Sequence, residues 1–278
     1  MCALPFVMVW HLTSTLFGLV LTDDSFSQLL LVPFVSAFLV YEKRATIFSA
    51  VRFGAASSAV PLTVGTAIVA AVRVNVVHLG PTNECVLFVL GIVLVWMGGF
   101  ALIFGIRAFR AACFPLLFLS FSVPIPEPLR SNIVLVLQKG STLAAEAFFR
   151  LEGVPFLRQG FVLSLPGVAI RVAEECSGIR SSLALLITTV LAGHLFLRST
   201  WRRSLLCVFV IPLTVLKNGL RIATLSTLAI YVNPGFLTGD LHRHGGIVFF
   251  LIGLVPMALL LMFLQRSEYR APSLAKTR

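Results

Sequence analysis

Residues 85–105, CVLFVLGIVLVWMGGFALIFG, run for twenty-one positions without a charged side chain. About 20 such residues, wound as an α-helix, cross the roughly 30 Å of hydrocarbon in a bilayer. A strand of a membrane barrel would alternate apolar and polar residues over about ten positions, and the apolar runs of this chain do not. Working outward, runs of the same character occupy 2–21, 26–41, 59–79, 110–125, 177–197, 204–231 and 246–265. The expected fold is all-α, a polytopic membrane helical bundle of about eight transmembrane helices. The N-terminus enters its apolar run with no cleavage-site pattern, so it reads as a first spanning helix.

Composition agrees. Hydrophobic residues make up 58% of the 278, charged residues 12%, and mean hydropathy is +0.98; a soluble domain carries about 25% charge. The formal charge of +11 comes from 22 Lys and Arg against 11 Asp and Glu. These cations punctuate the apolar runs instead of gathering on one face. Such spacing marks membrane topology, not phosphate binding, and no nucleic-acid partner is expected. Glu42-Lys43-Arg44 with Arg52, Arg107 with Arg110, Arg198 with Arg202 and Arg203, and the tail from Arg266 fall in alternate loops. By the positive-inside tendency these loops and both termini face the cytoplasm.

The whole chain, 1–278, is expected as one integral membrane domain. Its parts are five helices within 2–125, an external segment at 126–176, three helices within 177–265 and a basic cytoplasmic tail at 266–278. Pro124-Ile125-Pro126-Glu127-Pro128 stops the fifth helix, because proline cannot donate to the helix ladder. Residues 129–150 have apolar positions at helical spacing but include Arg130, Gln138, Lys139 and Glu146. That pattern predicts an extracytoplasmic amphipathic helix and not another span. Around Pro166-Gly167, residues 161–172 alternate weakly, which predicts a short hairpin delivering the chain to residue 176.

Ionisable groups inside an apolar background usually mark the working site of a membrane protein. Three interruptions stand out: Glu174-Glu175-Cys176-Ser177-Gly178-Ile179-Arg180-Ser181, Asn218-Gly219-Leu220-Arg221 and His242-Arg243-His244-Gly245-Gly246. On the assigned topology all three lie toward the external face. Cys176 stands at a predicted helix N-terminus with Arg180 one turn along; both features favour the reactive thiolate. Glu174 and Glu175 oppose it. Arg221, with Asn218 three residues earlier on the same face, is placed to stabilise a developing oxyanion. A histidine beside the thiol serves as general base and then acid. The blander readings are a core cysteine, a Cys85–Cys176 disulfide, an interfacial arginine and plain loop histidines. Cys113 and Cys207 lie in apolar runs, and no Cys/His metal spacing occurs among the five cysteines, so no metal or organic cofactor is expected.

At these residues the chain resembles the exosortase/archaeosortase family of membrane cysteine transpeptidases. The matching pieces are Val123-Pro124-Ile125-Pro126, Glu175 to Ser181, Asn218-Gly219-Leu220-Arg221 and the His-x-x-Gly-Gly run at 242–246. They stand in the family's order across roughly residues 85–265. The resemblance implies Cys176 as acyl-enzyme nucleophile, with Arg221 and His242 completing the site. His244 is the alternative histidine, a departure from the family pattern. It further implies exported protein substrates with a C-terminal Pro-Glu-Pro signal, a spanning helix and a basic tail. Arg180 or Arg171 is then expected to bind the acidic residue of the signal.

The reading is therefore a cysteine peptidase/transpeptidase of the inner membrane, embedded in the lipid bilayer with its active site on the periplasmic side. A transporter or channel with charges lining its pathway is the rival class; it predicts paired broken helices and internal symmetry, and the sequence has neither. An assembly factor with a decayed site is the second rival.

Overall fold

A computed structural model of the chain describes residues 27–49, 51, 53–74, 79–237 and 240–274. The expected span at 2–21 lies outside the described residues. Within them the other expected helices form as α1 (Ser27–Glu42), α3 (Ala55–Arg73), α4 (Pro81–Ala111), α5 (Cys113–Phe118, continued by a 3-10 turn at Leu119–Ser122), α7 (Ile179–Phe196), α8 (Thr200–Tyr231) and α9 (Asp240–Leu274). A one-turn helix α2 (Arg44–Ile47) follows α1. Among the described residues four segments are long and apolar enough to cross a membrane: Thr82–Ala111, Ile179–Phe196, Thr200–Tyr231 and Gly246–Tyr269. Leu31–Glu42, Ser58–Arg73 and Cys113–Ser122 are apolar but shorter. The protein is an all-α membrane protein.

Two compact units make up the chain, Met1–Arg130 and Ser131–Arg278. In the first, α3 and α4 cross with little between their backbones. A Cβ on Gly65 would stand 2.8 Å from the Val95 backbone nitrogen, and one on Gly98 would stand 2.8 Å from that of Leu62. Small residues of this kind let membrane helices approach closely. Helix α4 is interrupted at Gly105, where φ is 80° and ψ 172°, a conformation open essentially to glycine alone. Beyond this break Ala108, Ala112, Leu116 and Leu119 pack with Ile47, Cys85, Val89 and Val93. Cys85 is a free thiol in that cluster, so the disulfide reading falls. The Ser36 hydroxyl donates to the Pro115 carbonyl at 2.7 Å and joins α1 to α5.

In the second unit α8 is the common wall. Its first half packs with α7 and α9 through Leu185, Leu206, Val210, Leu213, Met257 and Leu264. Its second half packs through Ile222 and Ala223 against Ala145 and Phe149 of α6 (Glu127–Glu152) and against a small sheet. The buried stripe of α6 falls at Val134, Leu137, Gln138, Ser141, Thr142, Ala145, Glu146 and Phe149. This is helical spacing, as the sequence predicts, yet half of these side chains are polar. Their groups find partners: Gln138 Nε2 donates to the Val172 carbonyl at 3.0 Å, and Arg158 Nη1 donates to Glu146 Oε1 at 2.6 Å. Contacts of Gly140 with Val215, Gly219 with Ala144, and Thr227 Oγ1 with Glu152 Oε2 at 2.6 Å show α6 running along α8 in the same direction.

The sheet is an antiparallel meander of β1 (Leu157–Gln159), β2 (Val162–Leu165) and β3 (Val168–Arg171). Its β2–β3 pair is the expected hairpin, turning at Pro166-Gly167 with Gly167 at φ 77°. Proline followed by a left-handed glycine suits a two-residue type II turn. Strand β1 adds a third, exposed edge.

Candidate active site

The last strand leads directly into the cysteine motif. Val172 is held from both sides: its amide donates to the Phe161 carbonyl at 2.9 Å, and its carbonyl accepts from Gln138. Cys176 follows on a 3-10 turn, Glu174–Ser177, closed by Gly178 at φ 77°, ψ 14°. Gly178 is also the N-cap of α7, so the turn and the helix share one hinge residue. The side chains of Glu175 and Cys176 lie outside what the structure describes.

Gly178 rests on Asn218. A Cβ there would come within 2.9 Å of Asn218 Oδ1 and 3.4 Å of Nδ2. Asn218 is 1% exposed, and its Nδ2 donates to Ser141 Oγ of α6 at 2.9 Å. One amide side chain thus touches α6 and the entry to α7 from its place on α8. The neighbouring Lys217 donates to Ser181 Oγ. Ser181 in turn donates to the Gly178 carbonyl at 3.1 Å, and Ser182 donates to the same carbonyl at 2.6 Å. Arg221, half-buried, lies one helical turn beyond Lys217 and Asn218 on α8; positions three and four apart share a helix face. The structure therefore brings the Cys176 turn to the Asn218–Arg221 motif.

The structure describes no contact between the histidine motif and this cluster. His242 and His244 fall in the first two turns of α9, which begins six residues before the expected span. Their side chains lie outside what the structure describes. Contact between α9 and the cluster is at Gly253, where a Cβ would stand 3.1 Å from Lys217 Cδ and 3.9 Å from Leu185 Cδ2. Arg171 and Arg180 are exposed, at the end of β3 and in the first turn of α7. His194 is near the far end of α7.

Sequence reasoning missed Lys217 and Ser141, and quoted Ser181 and Gln138 without giving either a role at the site. Lys217 had a signal, a cation inside an otherwise apolar run. The three polar partners had none, since serine and glutamine are unremarkable on an amphipathic helix or at a helix start. Among the described residues no group of three His, Cys, Asp or Glu side chains has metal-binding proximity.

The transmembrane exosortase family model (Exosortase_EpsH) matches residues 20–259 of the 278. This chain belongs to the transmembrane exosortase family. Its general role is accordingly that of a membrane transpeptidase or protease acting on exported proteins. No curated protein and no solved structure matches it.

Proposed function

We propose that this exosortase cleaves a C-terminal Pro-Glu-Pro-type sorting signal from exported proteins through a thioester on Cys176. Cys176 gives its thiol proton to His242, its sulfur attacks the carbonyl carbon of the scissile peptide, and a C–S bond forms as the carbonyl becomes an oxyanion. Arg221 stabilises that oxyanion. Collapse of the tetrahedral species breaks the C–N bond, and His242 protonates the departing nitrogen. The signal leaves as a free amine. Water or an acceptor amine then attacks the thioester, loses its proton to His242, and releases the thiolate. A positioned general base contributes about 10²–10⁴-fold, and one oxyanion donor about 10²–10³-fold.

The observation that carries this reading is the seat of Gly178 on Asn218. It joins the turn bearing the proposed nucleophile to the helix bearing the proposed oxyanion donor, one turn apart. Helix periodicity supports His242 over His244. At 3.6 residues per turn, position 242 is about 20° in azimuth from Gly253, which packs on Lys217, whereas position 244 is about 180° away. Orientation rests on the basic loops: with Arg198, Arg202 and Arg203 in the cytoplasm, the Cys176 turn opens to the periplasm of an inner membrane.

The test is an exported reporter ending in Pro-Glu-Pro, an apolar helix and a basic tail, expressed with either wild-type protein or Cys176→Ala. The variant should insert normally and leave the reporter uncleaved. Full processing by Cys176→Ala would end the proposal.

A further inference from the structure

The reaction described above leaves one buried cation unused. Lys217 is 5% exposed and sits within α8, a helix able to cross a membrane. No described carboxylate lies within ion-pair distance of it. An ammonium at such a depth is costly and by default functional. Its stem passes Gly253, the position where a methyl group would stand 3.1 Å from Lys217 Cδ. Its only hydrogen bond among the described residues is to Ser181 Oγ. Ser181 passes the contact on to the Gly178 carbonyl at 3.1 Å, and Gly178 closes the turn that carries Cys176. A second polar group at this turn is open. The Ser177 hydroxyl, adjacent to Cys176, is fully buried and has no hydrogen-bond partner among the described residues.

We propose that Lys217 is a positioning residue for Cys176, a fixed ammonium that gives the Glu174–Ser177 turn a positive potential and so favours the anionic, reactive sulfur. Arg221 then acts on substrate oxygen while Lys217 acts through the thiol. Glu174 and Glu175 on the same turn oppose the thiolate, and a fixed cation beneath the turn offsets them. The inference rests on the reading of Cys176 as nucleophile, but its readout does not require a substrate.

The experiment follows alkylation of Cys176 by iodoacetamide in the full-length, detergent-solubilised protein, peptide by peptide in a mass spectrometer. Wild type is compared with Lys217→Met, Lys217→Gln and Lys217→Arg, each first shown to resist trypsin as the wild type does. Lys217→Gln keeps a donor for Ser181 and supplies the neutral form should the methionine variant fail to fold. Loss of the charge should slow alkylation about tenfold or more, and Lys217→Arg should stay within about threefold of wild type. A folded neutral variant that alkylates at the wild-type rate overturns the proposal. So does an arginine variant as slow as the neutral ones, which would make the role one of shape. Reporter processing separates the two readings. Processing that survives Cys176→Ala removes the thioester mechanism, whereas unaltered alkylation in Lys217→Gln removes only the role of Lys217.

Discussion

At Gly178 two constraints coincide. Its φ of 77° is a conformation that side chains strain, and the space a Cβ needs is filled by the Asn218 amide. The proposed role of His242 over His244 gives a prediction of its own. His242→Ala should lower reporter processing about 100-fold or more, the loss of a general base, while His244→Ala should leave it within about threefold; the reverse order in a single-time-point cleavage assay would move the role to His244. Arg171 and Arg180 are both exposed and cationic, suited to the acidic residue of a sorting signal. Arg171→Glu or Arg180→Glu should weaken reporter cleavage and be relieved by a Pro-Lys-Pro reporter; cleavage unchanged in both variants would remove this assignment. The stretches holding Cys176 and Arg221 stood out in the sequence because a thiol motif and a guanidinium are conspicuous against apolar runs. Lys217 stood in the same interruption as Asn218 and Arg221, and one break in hydropathy does not reveal how many of its residues turn inward. Gln138 and Ser141 were illegible because an amphipathic helix is expected to carry polar residues, and only packing shows which are enclosed.

Helix α6 packs against α8 from Gly140 to Glu152. Its stripe was readable from spacing, but its upright run along α8 was not, since hydropathy says which face is apolar and not what covers it. The two helices approach closely at Gly219, where a Cβ would lie 2.4 Å from Ala144 Cβ and 3.0 Å from the backbone of Ala144 and Ala145. Overpacking of a closed interface costs about 1–3 kcal/mol. Gly219→Val should therefore lower the thermal midpoint of the solubilised protein and, by pushing Asn218 off Ser141, slow processing as well; an unchanged midpoint would show that the interface yields. Other element-level differences have local causes. Strand β1 is three exposed residues, Leu157–Gln159, too short for alternation to register. The last span is expected from residue 246, yet α9 begins six residues earlier, at Asp240, because a helix start tolerates Gly245 and Gly246 better than an interior does.

For the molecule as a whole, hydropathy was decisive and boundaries were not. Among the described residues four segments are long enough to cross and three further apolar helices are shorter, a distinction that apolar run length alone blurs. One tether closes the second unit at the end away from Cys176. Glu268 accepts the amides of Arg198 at 3.0 Å and Ser199 at 2.7 Å and pairs with Arg202 at 3.2 Å, which binds the α7–α8 connection to the end of α9. Glu268→Gln should speed trypsin cleavage after Arg198 in inverted membrane vesicles and lower the thermal midpoint; cleavage at the wild-type rate would show the tether to be dispensable. The tether also bears on rotation. Positions 242 and 268 belong to one helix, about 39 Å apart at 1.5 Å per residue, and a rod clamped at its base cannot spin. Holding the carboxylate end thus sets the compass bearing of the helix start, so that damage at Glu268 reaches the proposed proton donor at position 242.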